Sequence, residues 1–190
     1  MFNEVKNQLS ESMIDKNLWG RSLLLLWSAW IFIHLWRSEQ ISLVQNPFYF
    51  FDHDIHEIGH WITRIFGMWI SVASGTIFQL IFPWIPLLAF VKERDFHAAF
   101  FIFTWMSSCL YQISWYSGSA AYSDLQLLTP HYITLYHDWV WMLSRLNAID
   151  WAGRIENFFL SLAWLSLAVS VAGQMYCLYL GFTNSQTNRN

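Results

Sequence analysis

Along the chain, apolar residues gather in long blocks parted by short polar joints, and block length rather than a period of two sets the predicted elements. Residues Met1 to Asn17 are mixed polar and charged and read as a solvated tail or a surface helix. Leu18 to Trp36, LWGRSLLLLWSAWIFIHLW, is long enough to cross about 30 Å of hydrocarbon as a helix, with Arg21 snorkelling at one end. The charged leader is long and no small-residue cleavage site follows it, so an uncleaved first transmembrane helix is expected, with His34 as an interfacial residue. After the polar loop Arg37 to Asn46, Pro47 suits the first turn of a helix over Phe48 to Phe66. Gly67 breaks the pattern, and Met68 to Val91 follows as an apolar segment bent at Pro83 and Pro86, with Gly75 allowing a close helix approach and Gln79 a buried amide. The polar hinge Lys92 to Asp95 precedes another span, Phe96 to Trp115, whose Thr104, Ser107, Ser108 and Gln112 offer hydrogen bonds between helices. Tyr116 to Ile149 is mixed and ends in an amphipathic or interfacial helix, and Phe158 to Phe182 forms the last span before a polar tail, Thr183 to Asn190.

The fold class predicted is all-α: a polytopic integral membrane bundle of four or five transmembrane segments and an interfacial helix. Residues 1–17 and 183–190 are expected as polar tails and residues 18–182 as one transmembrane domain. Composition agrees, with 55% hydrophobic, 19% aromatic and 12% charged residues, far from an ordinary soluble domain. Orientation is not fixed by charge. With five spans and a cytoplasmic N-terminus, Lys6, Lys16, Arg21, Arg64, Arg145 and Arg154 fall inside against four basic residues outside, and with four spans the division is again six to four. A net charge of −3 and the lack of a basic run exclude nucleic acid as a partner, leaving membrane lipids and a membrane-protein substrate or partner subunits. Cys109 and Cys177 lie in apolar stretches without CxxC spacing and read as packing residues.

One stretch carries chemistry. His56-Glu57-Ile58-Gly59-His60 is an HExxH motif, preceded by Asp52-His53-Asp54. Residues four apart share a helix face, so His56 and His60 can present two imidazoles to one metal ion with Glu57 beside them as general base. Ionisable groups inside apolar segments are expensive and mark a site, a pathway or a buried pair. A catalytic zinc needs a third protein ligand and an open position. The mixed region supplies the candidates Asp124, His137 and Asp138, while His131 after Pro130 reads as a loop residue. Asp138 also suits a helix cap, and Asp52 and Asp54 suit either outer-shell carboxylates or capping.

The pattern resembles the membrane-embedded zinc metalloproteases of the site-two protease class, and more closely a group of small bacterial integral membrane proteins of metallopeptidase type. In that group an HEAGH-type motif is followed by GGxxxQLxxP, a serine- and tyrosine-rich helix end with an aspartate, and an HDW segment before LLxxLG. Here Gly75, Gln79 and Pro83 match the second, Asp124 in YSDLQLL the third, and His137-Asp138-Trp139 with Leu143 and Leu146 the fourth, over roughly residues 47 to 150. Ser74 replaces one glycine of the pair, Leu125 the usual alanine after the aspartate, and no LDG-type motif occurs. The resemblance implies Zn2+ at His56 and His60, Glu57 as general base, a third ligand among His137, Asp138 and Asp124, and a bacterial inner membrane. The function expected is hydrolysis of a peptide bond in or near the bilayer. The alternative is a non-catalytic membrane subunit of a larger complex that keeps the HExxH as a structural metal site or relic. A di-iron cage lacks its second Glu-x-x-His repeat.

Overall fold

The structure, a computed structural model, describes residues 2–14, 16–36, 48–122 and 137–187. Among them every regular element is helical: α1 (Phe2–Glu11), α2 (Leu18–Trp36), α3 (Phe48–Thr63), α4 (Met68–Ile81), α5 (Trp84–Lys92), α6 (Phe96–Ser119), α7 (Asp138–Arg145) and α8 (Ala152–Thr187). Short 3-10 turns cover Arg64–Phe66, Ala120–Tyr122 and Ile149–Trp151. The all-α class is therefore observed. Two stretches, Met68–Lys92 and Ile149–Ser185, are long and apolar enough to cross a membrane, and Leu18–Ile33 is a shorter apolar helix.

The breaks follow local chemistry. Gly67 separates the turn Arg64–Phe66 from α4 at φ +93°, a backbone angle that a side chain would resist. Its carbonyl accepts from Ser71 N at 3.0 Å, opening α4. At Pro83 the segment stops being regular, as expected: α4 ends at Ile81 and Pro83 becomes the N-cap residue of α5, while Phe82 and Pro83 keep helical backbone angles and Met68–Lys92 runs on as one stretch. Pro86 lies in the first turn of α5, where a missing N–H costs nothing because that donor has no intrahelical partner. Arg94, at φ +56°, turns the chain so that Asp95 N reaches back to Phe90 O at 2.8 Å and α6 can begin.

The chain divides into two compact units, one of Met1–Pro47, Pro83–Ser107 and Trp164–Asn190, the other of Phe48–Phe82 and Ser108–Ala163. In the first, Leu9 of α1 and Met13 in the turn after it are buried with Cys177, Leu178 and Leu180 of α8, so the polar N-terminal stretch includes a packed helix. Ser28 of α2, Thr104 of α6 and Ser170 and Gln174 of α8 close a polar ring at 2.6–2.9 Å. That ring fixes three apolar helices whose surfaces alone set little register. In the second unit α3 and α4 pack as an antiparallel pair, and α7 joins them through Trp69 and Trp141, whose rings meet edge to face at 4.8 Å.

Candidate metal centre

The centre is built on α3 and depends on how near α4 comes. At Gly59 a Cβ would stand 2.7 Å from the Ser74 carbonyl oxygen. At Gly75 it would stand 2.6 Å from both Cε1 and Nε2 of His56 and 2.7 Å from Nε2 of His60. The two glycines therefore do different work: Gly59 lets the backbones meet, and Gly75 leaves the space that the imidazoles occupy. Thr63 Oγ1 and Ser74 Oγ, 2.7 Å apart, join the helices one turn beyond.

Both imidazoles are half-buried, and their outer nitrogens face acceptors. His56 Nδ1 lies 3.1 Å from Gln79 Oε1, and His60 Nδ1 lies 2.7 Å from the Ser71 carbonyl oxygen. Carbonyl oxygens only accept, so each Nδ1 carries a proton, and in the neutral imidazoles each Nε2 presents a lone pair. Those two Nε2 atoms are 2.9 Å apart. Asp138 Oδ2 completes the triangle, 2.8 Å from His56 Nε2 and 3.1 Å from His60 Nε2. Burial raises the Asp138 carboxyl pKa, and the histidine contacts outweigh it, holding the group below its ordinary value as a carboxylate, only where a facing Nε2 carries a proton. Three lone-pair atoms turned on one point repel unless a cation sits among them. One proton satisfies a single edge of the triangle, whereas a divalent ion held by His56, His60 and Asp138 would satisfy all three. The donor set fits a metal.

Asp138 is held there by the neighbouring residue as much as by its own contacts. His137, not Asp138, caps α7: its Nδ1 accepts from Val140 N at 3.3 Å, so its Nε2–H donates to Ser119 Oγ at 2.9 Å. Burial lowers the His137 pKa, against the raising pull of Asp138, which suits this neutral capping form. Its ring stacks on Tyr116 at 4.2 Å, and the Tyr116 hydroxyl accepts from Asp138 N at 3.2 Å. The end of α6 thus latches the start of α7. Leu143, Ala120 and Ala152 form the apolar cluster beneath.

Glu57 lies on the open side, exposed, and one ligand atom from each of His56, Glu57 and His60 falls within 4.8 Å of the others. These three residues could hold a metal ion on their own, but the shorter Asp138 contacts make that carboxylate the better third donor and leave Glu57 free beside it. A cavity of about 350 Å³ opens there, lined by Glu57, His60, Trp61, Arg64, Met68 and Ser71 among others.

Of the residues predicted from sequence, His56, His60 and Asp138 converge, Glu57 flanks them, and His137 turns to Ser119 and Val140. Asp124 and His131 lie outside the described residues. Asp52 takes a different part from the outer-shell one considered: fully buried, it accepts from Ser108, Cys109 and Gln112 of α6 at 3.1, 3.0 and 2.6 Å. Asp54 is exposed. The imidazoles are oriented instead by Gln79 and the Ser71 carbonyl, and Tyr116 and Ser119 join the site from the serine- and tyrosine-rich end of α6, where the sequence singled out only Asp124. Among known proteins, no family model, no curated sequence and no solved structure matches this chain.

Proposed function

We propose that this chain is a membrane-embedded zinc metallopeptidase that hydrolyses a peptide bond in or near the bilayer. The observation carrying the reading is the triangle of His56 Nε2, His60 Nε2 and Asp138 Oδ2, with edges of 2.8–3.1 Å and both outer nitrogens committed as donors. Zinc is favoured because two neutral imidazoles, one carboxylate and an open side form the donor set of a catalytic zinc, with room for water in the fourth position. When bound, the ion supplies a Lewis acid for the scissile carbonyl and makes water acidic near neutrality. Gln79 and Ser71 keep the imidazoles in the tautomer that leaves Nε2 free. Glu57, outside the triangle and facing the cavity, takes the proton of the attacking water as its oxygen bonds to the carbonyl carbon. It then gives that proton to the amine as the C–N bond breaks.

The apolar stretches Met68–Lys92 and Ile149–Ser185 support a membrane setting, to which Leu18–Trp36 and the α3 and α6 segments add in a bundle of four or five crossings. The resemblance to small bacterial membrane proteins supports the cytoplasmic membrane of a bacterium. Metal analysis of the purified protein tests the site: about one zinc per chain is expected, and none in the His56→Ala, His60→Ala double variant. Glu57→Gln should retain the zinc and lose proteolysis. Equal metal content in the wild type and the double variant would reject the centre, and full proteolysis by Glu57→Gln would reject the base.

A further inference from the structure

Arg64 lines the cavity beside the triangle, is exposed, and its guanidinium has no hydrogen-bond or ion-pair partner among the described residues. Near the C-terminal end of α3 it complements the helix dipole, but that leaves its five N–H donors unused. Glu57, His60 and Arg64 are spaced three and four residues apart, so they share a face, with Glu57 at one end of the cleft and Arg64 at the other. Seven residues of helix separate the two charges by roughly 10 Å along the axis. An extended peptide covers that distance in about three residues. Between them Trp61 and Met68 give the cavity an apolar wall.

Resting on the metallopeptidase reading, we infer that Arg64 is a specificity residue that selects polypeptide substrates with a carboxylate two or three residues from the scissile bond. The planar fork of the guanidinium binds a carboxylate in bidentate fashion, which a lysine cannot copy. The carboxylate belongs at the Arg64 end because the Glu57 end repels it. The cleft is therefore polar in direction: an acidic residue fixes which way a peptide lies, and so which amide reaches the metal triangle. Arg64 touches no group of the triangle, so it acts on binding of the substrate and not on the base or the ligands.

The test uses the detergent-solubilised full chain loaded with zinc and two peptide hydroxamates that differ only in Asp or Asn at the third residue from the hydroxamate. The wild type should bind the Asp compound about tenfold more tightly, a difference of about 1.4 kcal/mol. Arg64→Ala should bring that ratio to about one without weakening the Asn compound, and Arg64→Lys should restore only part of it. An Asp to Asn ratio that is one in the wild type, or unchanged by Arg64→Ala, overturns the inference while the zinc site stands. Binding of either compound that survives His56→Ala, His60→Ala removes the metal reading and the inference with it.

Discussion

A single methyl group decides whether the centre can form, and the residue that excludes it is Gly75. Its neighbours are the ring atoms of His56 and His60 at 2.6 and 2.7 Å, whereas the neighbour of Gly59 is the Ser74 backbone at 2.7 Å. Gly75→Ala should therefore push the imidazoles out of register and weaken zinc binding at least tenfold, a loss of the size seen when metal ligands are misoriented. Gly59→Ala should instead force α3 and α4 apart and lower stability by about 1–3 kcal/mol. Competition against a chelator and thermal denaturation of the zinc-free protein separate the two. Equal zinc affinity in Gly75→Ala and wild type would show that the imidazoles do not depend on this gap. The HExxH pair was legible because helical spacing puts His56 and His60 on one face of α3, and Gly75 and Gln79 because a glycine and an amide stand out in the apolar run of α4, although only the packing of the two helices brings them together. Asp138 was legible only as one of three candidates, since local sequence reads it equally well as a cap. What separates these readings is that His137 takes the cap, a matter of side-chain direction that no spacing encodes. Asp52 shows the converse limit. Each four-residue step turns about 40° around the helix, so two steps carry Asp52 well off the line of His60 and towards α6.

Among the elements, the hinge between α5 and α6 makes a pH-dependent prediction. Asp95 follows the turn at Arg94 and receives both guanidinium arms of Arg21, one at 2.7 Å, with Lys16 Nζ at 3.4 Å and a hydrogen bond from Ala98 N at 3.1 Å. Burial raises its pKa, but Arg21, the Ala98 amide and Lys16 bring it down from 3.8 to about 2. A carboxyl whose folded pKa is depressed stabilises the fold fully above its unfolded value and loses that contribution as pH falls through the folded one. Asp95→Asn should accordingly lower the melting temperature near neutrality, and the gap to wild type should close as pH falls from about 4 to about 2. A gap that stays constant across that window would assign the effect to shape and not to charge. The bend at Pro83 was readable because a proline signals its break directly. The extent of α8 was not: the apolar block Phe158 to Phe182 sits inside a helix that runs from Ala152 to Thr187. Apolar length marks what a bilayer or a core covers, while a helix continues into polar residues until a breaker stops it, and α8 runs on past Phe182 through Asn184, whose side chain is bonded to Ser10 Oγ at 2.6 Å.

For the whole molecule the question is which solvent its surface is made for, and α8 offers the sharpest place to ask it. Only 28% of its apolar window is buried, where the core helix of a water-soluble protein would be mostly covered. Leu165, 61% exposed, lies near the middle of Ile149–Ser185, and Leu167, two residues on, is fully buried. In water an exposed leucine can become lysine with an effect within about 0.5 kcal/mol. At the centre of a bilayer the same change costs about 2.5–3.5 kcal/mol before snorkelling relieves part of it. Leu165→Lys should thus reduce the fraction of protein retained in membranes after an alkaline wash and lower the melting temperature in lipid nanodiscs. Leu167→Lys should unfold the protein in any solvent, because its site offers a lysine neither water nor a partner. If Leu165→Lys instead left retention and melting unchanged and the chain purified without detergent, the exposed leucines would be facing water, and the cleft beside Glu57 would have to draw its substrates from solution.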